Sequence, residues 1–196
     1  MRVPSLAGVI LSGGRSSRFG TNKAAADLNG QSLIGRVYDT LAQTCSPIAA
    51  AGDPAGLDMA AGLADPPGSP AGPLSGILAG LLWARANGSL RLATAPCDAP
   101  FLPADFPSRL VEAMTTNDAP IAVCRSVNGL EPLCAVWSIG MIEKLERALL
   151  NGHPPVHRFL SEAGAAAVLF DHATSFLNVN TPEDLKRAES LLAQDR

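Results

Sequence analysis

Apolar residues in this chain fall into short runs separated by segments of helical spacing, and the alternation continues almost to the last residue. Residues 6–11 (LAGVIL) form a continuous apolar run too short for a helix, which predicts a buried strand. Residues 32–44 place Leu33, Ile34, Val37, Tyr38 and Leu41 on one helical face behind a capping Ser32. The weaker run 47–51 (PIAAA) predicts a second strand. Residues 75–87 (SGILAGLLWARAN) predict a strongly apolar helix, with Ile77, Leu81 and Trp83 as core positions, and 91–96 (RLATAP) a third strand. A helix near 104–115 follows.

Two further runs, 120–126 (PIAVCRS) and 131–137 (EPLCAVW), flank VNGL, whose Asn-Gly pair signals a hairpin. Helices are predicted at 139–150 and 155–163, and strands near 166–170 and 175–179. TPED then opens a last helix, with Thr181 as cap, Pro182 in the first position and Glu183 and Asp184 in the first turn. Residues 65–76 (DPPGSPAGPLSG) read as a Pro/Gly loop. Strand–helix alternation of this kind predicts an α/β domain, a three-layer, Rossmann-like, mainly parallel sheet with helices on both faces. Its site is expected at the carboxyl ends of the strands. One domain over 1–196 suffices for this length.

Composition narrows the partners. With 47% hydrophobic and 17% charged residues and a net charge of -3, the chain has the balance of a compact globular domain and lacks the basic surface of a nucleic-acid binder. No apolar run approaches the roughly 20 residues that cross a bilayer, so no membrane partner is expected. The N-terminal MRVPSLAGVILSGG loosely resembles a leader, but its apolar part runs into a glycine loop and serves better as the first strand. Cys45, Cys97, Cys124 and Cys134 are far apart and form no CxxC pair, which suggests neither zinc nor disulfides and makes the cytoplasm the default location. The NGS sequon at 87–89 needs a secretory route that nothing here suggests.

The remaining anomaly is LSGGRSSRFGTNK (11–23), which gathers Arg15, Arg18 and Lys23 beyond two glycines in an acidic chain. The Walker pattern fails, because Thr21 and Asn22 separate Gly20 from Lys23; GxGxxG fails, because Gly13 and Gly14 are adjacent. What remains is a strand end and a glycine-rich loop that lets backbone N–H groups approach a ligand, with cations suited to polyphosphate oxygens. A surface turn with solvated cations satisfies the spacing equally well.

LSGGRSSRFGTNK also resembles the signature loop of nucleotidyltransferases, in particular the molybdenum cofactor guanylyltransferases. The likeness recurs in order through DPPGSPAGPLSGILAGL (65–81), CDAPFLP (97–103), EPLCAVW (131–137) and FLNVNTPEDL (176–185). It implies a sheet of the nucleotide-diphospho-sugar transferase type and a Mg²⁺-dependent transfer of GMP from GTP to the terminal phosphate of a molybdopterin-type cofactor, releasing pyrophosphate. Molybdoenzymes or their chaperones are the implied recipients. The resemblance assigns the base to the loop backbone at Leu11, Ser12, Gly13 and Gly14, the phosphates to Arg18 and Lys23, and Mg²⁺ to Asp98; Lys23, Arg18 and Asp98 are the implied catalytic residues.

Asp98 follows a predicted strand, and Mg²⁺ commonly needs only one or two carboxylates besides phosphates; an Asp there could equally cap a turn. Asp65 matches an aspartate the family uses for the nucleotide, and its carboxylate can accept from guanine N–H groups or ribose hydroxyls. Its other reading is loop capping before Pro66. Gly72 and Gly76 suit either a close ligand or plain helix initiation. Asn178 and Asn180 flank Val179 and would share one face of a strand, as acceptor or second-metal ligands or as caps.

His153 and His157 have helical metal-pair spacing, but Pro154 and Pro155 intervene. His157 and Arg158 instead suit an anionic second substrate. Glu131 stands before Pro132 where relatives vary, and its role in the acceptor pocket stays open.

Two departures bear on specificity. Ser12 replaces the usual alanine and adds a hydroxyl beside the base, while Gly13 favours GTP because a side chain there would crowd the base. Asn22 replaces a common aspartate and removes a partner for Lys23 or Arg18. The rival expectations are the same chemistry with CTP, a sugar-phosphate acceptor, or a non-catalytic protein that binds and delivers the cofactor.

Overall fold

In a computed structural model of the chain, the structure describes residues 6–13, 23–54, 57, 60–171 and 174–194. The described strands are β1 (Leu6–Ser12), β2 (Ile48–Gly52), β3 (Ala61–Leu63), β4 (Arg91–Pro96), β5 (Ile121–Ser126), β6 (Gly129–Ser138) and β7 (Ala166–Leu169). The helices are α1 (Leu33–Ala42), α2 (Pro73–Ala86), α3 (Phe106–Thr116), α4 (Ile142–Leu150), α5 (Val156–Glu162) and α6 (Pro182–Gln194). The sheet order is β3-β2-β1-β4-β6-β5-β7, with every neighbour parallel except β6, which runs antiparallel to both β4 and β5.

Side-chain alternation along β1 divides the interior into two layers. Ala7, Val9 and Leu11 face α2, α4 and α5; Leu6 and Ile10 face α1 and α3. A strand covered on both faces has no polar side to show, which is why LAGVIL is uninterrupted. α2 lies especially close to the sheet: a Cβ on Gly80 would stand 2.9 Å from Leu92 Cδ2 and 3.0 Å from Val9 Cγ2. A third, smaller cluster joins Leu28, Leu33, Val179 and Ala188, fixing α6 against the segment that leads into α1.

The capping chemistry reads through at both expected helices. Ser32 Oγ accepts from the Gly35 N–H at 3.1 Å, and Pro182 opens α6. α2 begins at Pro73 rather than at Ser75, because proline's fixed φ and missing N–H suit a first helical position. Two strand expectations change. Residues 175–179 form no strand; β4 already pairs with β1 and β6, and this segment is tied just beyond its end, Val179 N–H to Asp98 O at 2.9 Å. β3 lies within a short apolar stretch, MAAGLA (59–64), outside the predicted strands, and it forms as a three-residue parallel strand on β2.

The hairpin turns at Val127–Asn128, one position earlier than the Asn-Gly pair suggests, and β6 starts at Gly129 with φ 131°. Farther along β6 the register breaks: Val123 pairs with Ala135, but Cys124 pairs with Glu131. Pro132, which has no N–H to give a ladder, lies in the resulting bulge with Leu133 and Cys134. Thr94, fully buried on β4, holds that bulge. Its hydroxyl donates to Leu133 O at 2.9 Å and accepts from the indole N–H of buried Trp137 at 3.0 Å.

Thr94→Val keeps the shape but strands that indole N–H and the Leu133 carbonyl. Denaturant unfolding is expected to show a loss of about 1–3 kcal/mol, the cost of buried unsatisfied polar groups; an unchanged midpoint would contradict the role given to this hydroxyl.

Candidate active site

Register alone lines up one edge of the sheet. Leu63 pairs with Ala51, Ala51 with Leu11 and Leu11 with Pro96, so these four residues form one row across β3, β2, β1 and β4. Two residues beyond that row, at the carboxyl ends, come Asp65, Asp53, Gly13 and Asp98. With strands spaced about 4.8 Å apart, the row spans roughly 14 Å. Asp53 has no motif around it in the sequence; only the register places it beside the others.

At the β4 end of the row the chain brings three distant segments to one point. Lys23 Nζ lies 2.5 Å from Asp98 Oδ2 and 2.5 Å from Asn180 Oδ1. The Lys23 and Asp98 side chains are 14% and 18% exposed, so the pair is shielded yet reachable from solvent. Lys23 begins a short 3-10 turn, Lys23–Ala25, whose Ala24 is buried and whose Lys23 carbonyl accepts from Ala26 N–H at 3.0 Å. Asp98 stands just past β4, and its carbonyl accepts from Val179 N–H.

Asn180 is held from the other side. The Asp184 carboxylate accepts from both Asn180 N–H and Thr181 N–H at 2.9 Å, while Asp184 N–H donates to Thr181 Oγ1 at 3.1 Å. Donation from Asn180 N–H, joined by the Thr181 contacts and the Lys23 charge, holds the Asp184 carboxyl below its ordinary range. Asn178 is exposed two residues before Asn180, with Val179 buried between them. The alternation expected of the pair therefore survives without a strand.

The remaining sequence candidates separate. Leu11 is buried as the last core position of β1. Ser12 turns its hydroxyl sideways to donate to Ala51 O at 3.0 Å, so it is engaged with β2. Gly13 is exposed, and a Cβ added there would meet nothing within 4 Å among the described residues. Asp65 is exposed in the loop after β3, away from the Lys23–Asp98 contact. Gly14 and Arg18 lie outside the described residues.

His153 and His157 make no helical pair: His153 precedes α5 with φ 49°, and His157 is exposed on it. The His153 ring fills the space over Gly72, where a Cβ would meet Cε1 at 2.4 Å, so only glycine suits that residue with its φ of 155°. Arg158 is bound to Glu162 in its own helix at 2.8 Å and lines a groove of about 470 Å³ with Lys144, Arg147 and His153. Glu131 accepts from the Ser126 hydroxyl at 2.7 Å.

Burial, aided by the Asp98 charge, pushes the neighbouring Cys97 thiol up to about 12. It is neutral near pH 7 and is no thiolate nucleophile. Among the described residues, no group of three or more His, Cys, Asp or Glu side chains is placed to hold a metal, and no helix is long and apolar enough to cross a membrane.

Asp184 gives this geometry a pH signature. Because its folded carboxyl titrates below the unfolded one, it stabilises the fold above the unfolded value near pH 4, and that contribution is lost as pH falls through the folded value. The melting temperature of the wild type is expected to fall more steeply below pH 4 than that of Asp184→Asn; parallel curves would contradict the assignment.

Comparison with known proteins bears on the whole length. The MobA-like NTP transferase domain family matches residues 8–168. A molybdenum cofactor guanylyltransferase of Cereibacter sphaeroides is 42% identical over 196 residues, covering 97% of this chain and 98% of the relative. One of Rhodopseudomonas palustris (strain BisB5) is 38% identical, covering 98% and 96%. The crystal structure of a molybdopterin-guanine dinucleotide biosynthesis protein A from Archaeoglobus fulgidus superposes with a TM-score of 0.76 at 24% identity, covering 96% of this chain and 99% of that one.

Proposed function

The chain belongs to the family of MobA-like NTP transferase domains, and on that premise we propose that it transfers GMP from GTP to the terminal phosphate of the molybdenum–molybdopterin cofactor. The observation that carries the assignment to particular residues is the meeting of Lys23, Asp98 and Asn180 at the carboxyl edge, in line with Gly13 and Asp65.

A phosphate oxygen of the acceptor forms a new bond to the α-phosphorus of GTP. The α–β phosphoanhydride bond breaks, and its electron pair leaves on pyrophosphate. Negative charge grows on the leaving group, so a cation fixed there stabilises the transition state more than the ground state. Lys23 is that cation; its ammonium moves from Asp98 and Asn180 to the phosphates when nucleotide binds. Asp65, three strands away, meets the nucleoside end. No covalent intermediate is required, in keeping with the neutral Cys97.

The residues present fit a small divalent cation. Two oxygens, Asp98 Oδ2 and Asn180 Oδ1, already converge on one positive charge, and phosphate oxygens and water complete such a site. Asp98 would hold the ion with Asn180 or Asn178 beside it; Mg²⁺ supplies charge neutralisation across the triphosphate.

Gly13 supports GTP. Among the described residues, neither a positive φ nor a packed neighbour calls for glycine at this position, which is compatible with the close approach of a base. Ser12, tied to Ala51, keeps its hydroxyl away from that approach.

Incubation with α-labelled GTP, Mg²⁺ and molybdenum-loaded molybdopterin is expected to move the label onto the cofactor with one pyrophosphate per transfer. Label moving from CTP instead would overturn the guanylyl assignment. Asp98→Ala is expected to lower turnover by about 10²–10³-fold, the scale of lost electrostatic stabilisation, with the fold intact by circular dichroism; undiminished pyrophosphate release would remove Asp98 from the metal site. Gly13→Ala is expected to leave the melting temperature unchanged while weakening GTP binding at least tenfold by calorimetry (about 1.4 kcal/mol). Equal affinity would show that no base approaches there.

A further inference from the structure

We infer that Asp184 is a positioning residue of the transfer reaction, holding Asn180 in place against Lys23 and Asp98. This rests on the placement of Lys23 and Asp98 at the reacting phosphates proposed above.

The segment before α6 belongs to no strand. Among the described residues, its backbone tie to the body of the protein is the Val179 N–H bond to Asp98 O, after which comes the exposed Asn180. Something must fix the Asn180 side chain if it is to meet an ammonium at 2.5 Å. Asp184 does so with one carboxylate oxygen, which accepts from two consecutive N–H groups, those of Asn180 and Thr181.

Capping accounts for only one of these bonds. In a capping box the acidic residue of the first turn reaches the N–H of the cap residue, here Thr181, and the cap hydroxyl accepts in return. The bond to Asn180 N–H lies one residue farther out and serves no helix donor. Its effect is to set the Cα position and the direction of the Asn180 side chain. α6 is itself anchored through Ala188 to Leu28 and Leu33. Leu33 N–H bonds Ala26 O, and Ala26 N–H bonds the Lys23 carbonyl. Asp184 thus spans between a helix fixed to the Lys23 side and a residue fixed to the Asp98 side, closing the loop around the site. The Lys23 charge also reaches Asp184.

The comparison that separates positioning from capping sets Asp184→Ala against Thr181→Ala. Both lose a cap bond, so both melting temperatures fall; only Asp184→Ala releases Asn180. At saturating GTP and acceptor, Asp184→Ala is expected to lower kcat by about ten- to a hundredfold, the scale of a misplaced group, while Thr181→Ala stays near the wild-type value. In an Asn180→Ala background, Asp184→Ala is expected to cause no further loss. Equal kcat in the two cap variants, or an undiminished effect without the Asn180 side chain, would overturn the proposal.

A readout independent of turnover keeps it testable even if the wild type transfers no GMP, a result that would count against the proposed function alone. The Asn180 side-chain amide resonance, identified by its loss in Asn180→Ala, should shift or broaden in Asp184→Ala and stay put in Thr181→Ala. An unmoved resonance in Asp184→Ala would overturn the positioning role. Should Asp184→Ala not fold, Asp184→Asn makes the same comparison with a smaller expected effect, since an amide oxygen accepts more weakly than a carboxylate.

Discussion

A single ammonium organises the functional edge of this protein. Lys23 is bound by Asp98, 75 residues later, and by Asn180, 157 residues later. Beside the Val179 N–H bond to Asp98 O and the small core that anchors α6, three segments that share no strand therefore meet at one charge. Its partners offer one full negative charge and one amide dipole, so the site holds a cation firmly in a shielded place that solvent still reaches. A polyanionic ligand can draw the ammonium away because the alternative partner, a chain of phosphates, carries more charge. The same two oxygens are then free for a different cation. The contact that joins these three segments is then also the one that nucleotide binding would rearrange.

The rest of the architecture holds these segments in register. Parallel pairing from β3 to β4 aligns their carboxyl ends, and α2 lies close enough on the sheet that Gly80 has no room for a side chain. Reversal of β6 brings EPLC to the end of β4, where the bulge frees Leu133 from the ladder and Thr94 holds its carbonyl. Near this edge the Leu133 carbonyl and the Ser12 hydroxyl are thus held by partners in the adjacent strands.

Much of the fold could be read from hydrophobic spacing, because buried parallel strands and amphipathic helices leave strong periods. β1, β4 and α1 follow their predicted spans closely, and α6 begins where TPED places it. What could not be read is where strands find partners. β3 finds its partner in β2, while 175–179 lies off the sheet beside the end of β4; neither fact is local. In the site, LSGGRSSRFGTNK and CDAPF marked Lys23 and Asp98 individually, but their contact with each other and with Asn180 is a tertiary result. With asparagine at position 22, Lys23 takes its carboxylate partner from Asp98, just past β4. Asp184 looked like ordinary capping, since a sequence shows the cap and not the additional N–H it accepts. Asp53 had no local motif and emerges only from the strand register.

The most direct test of the central claim is a structure determined with GTP and a divalent cation bound. Lys23 Nζ is predicted to leave Asn180 and Asp98 for the phosphate oxygens, with Asp98 on the metal and the base against Gly13. GTP bound elsewhere, or a Lys23 still paired with Asp98 beneath a bound triphosphate, would contradict it.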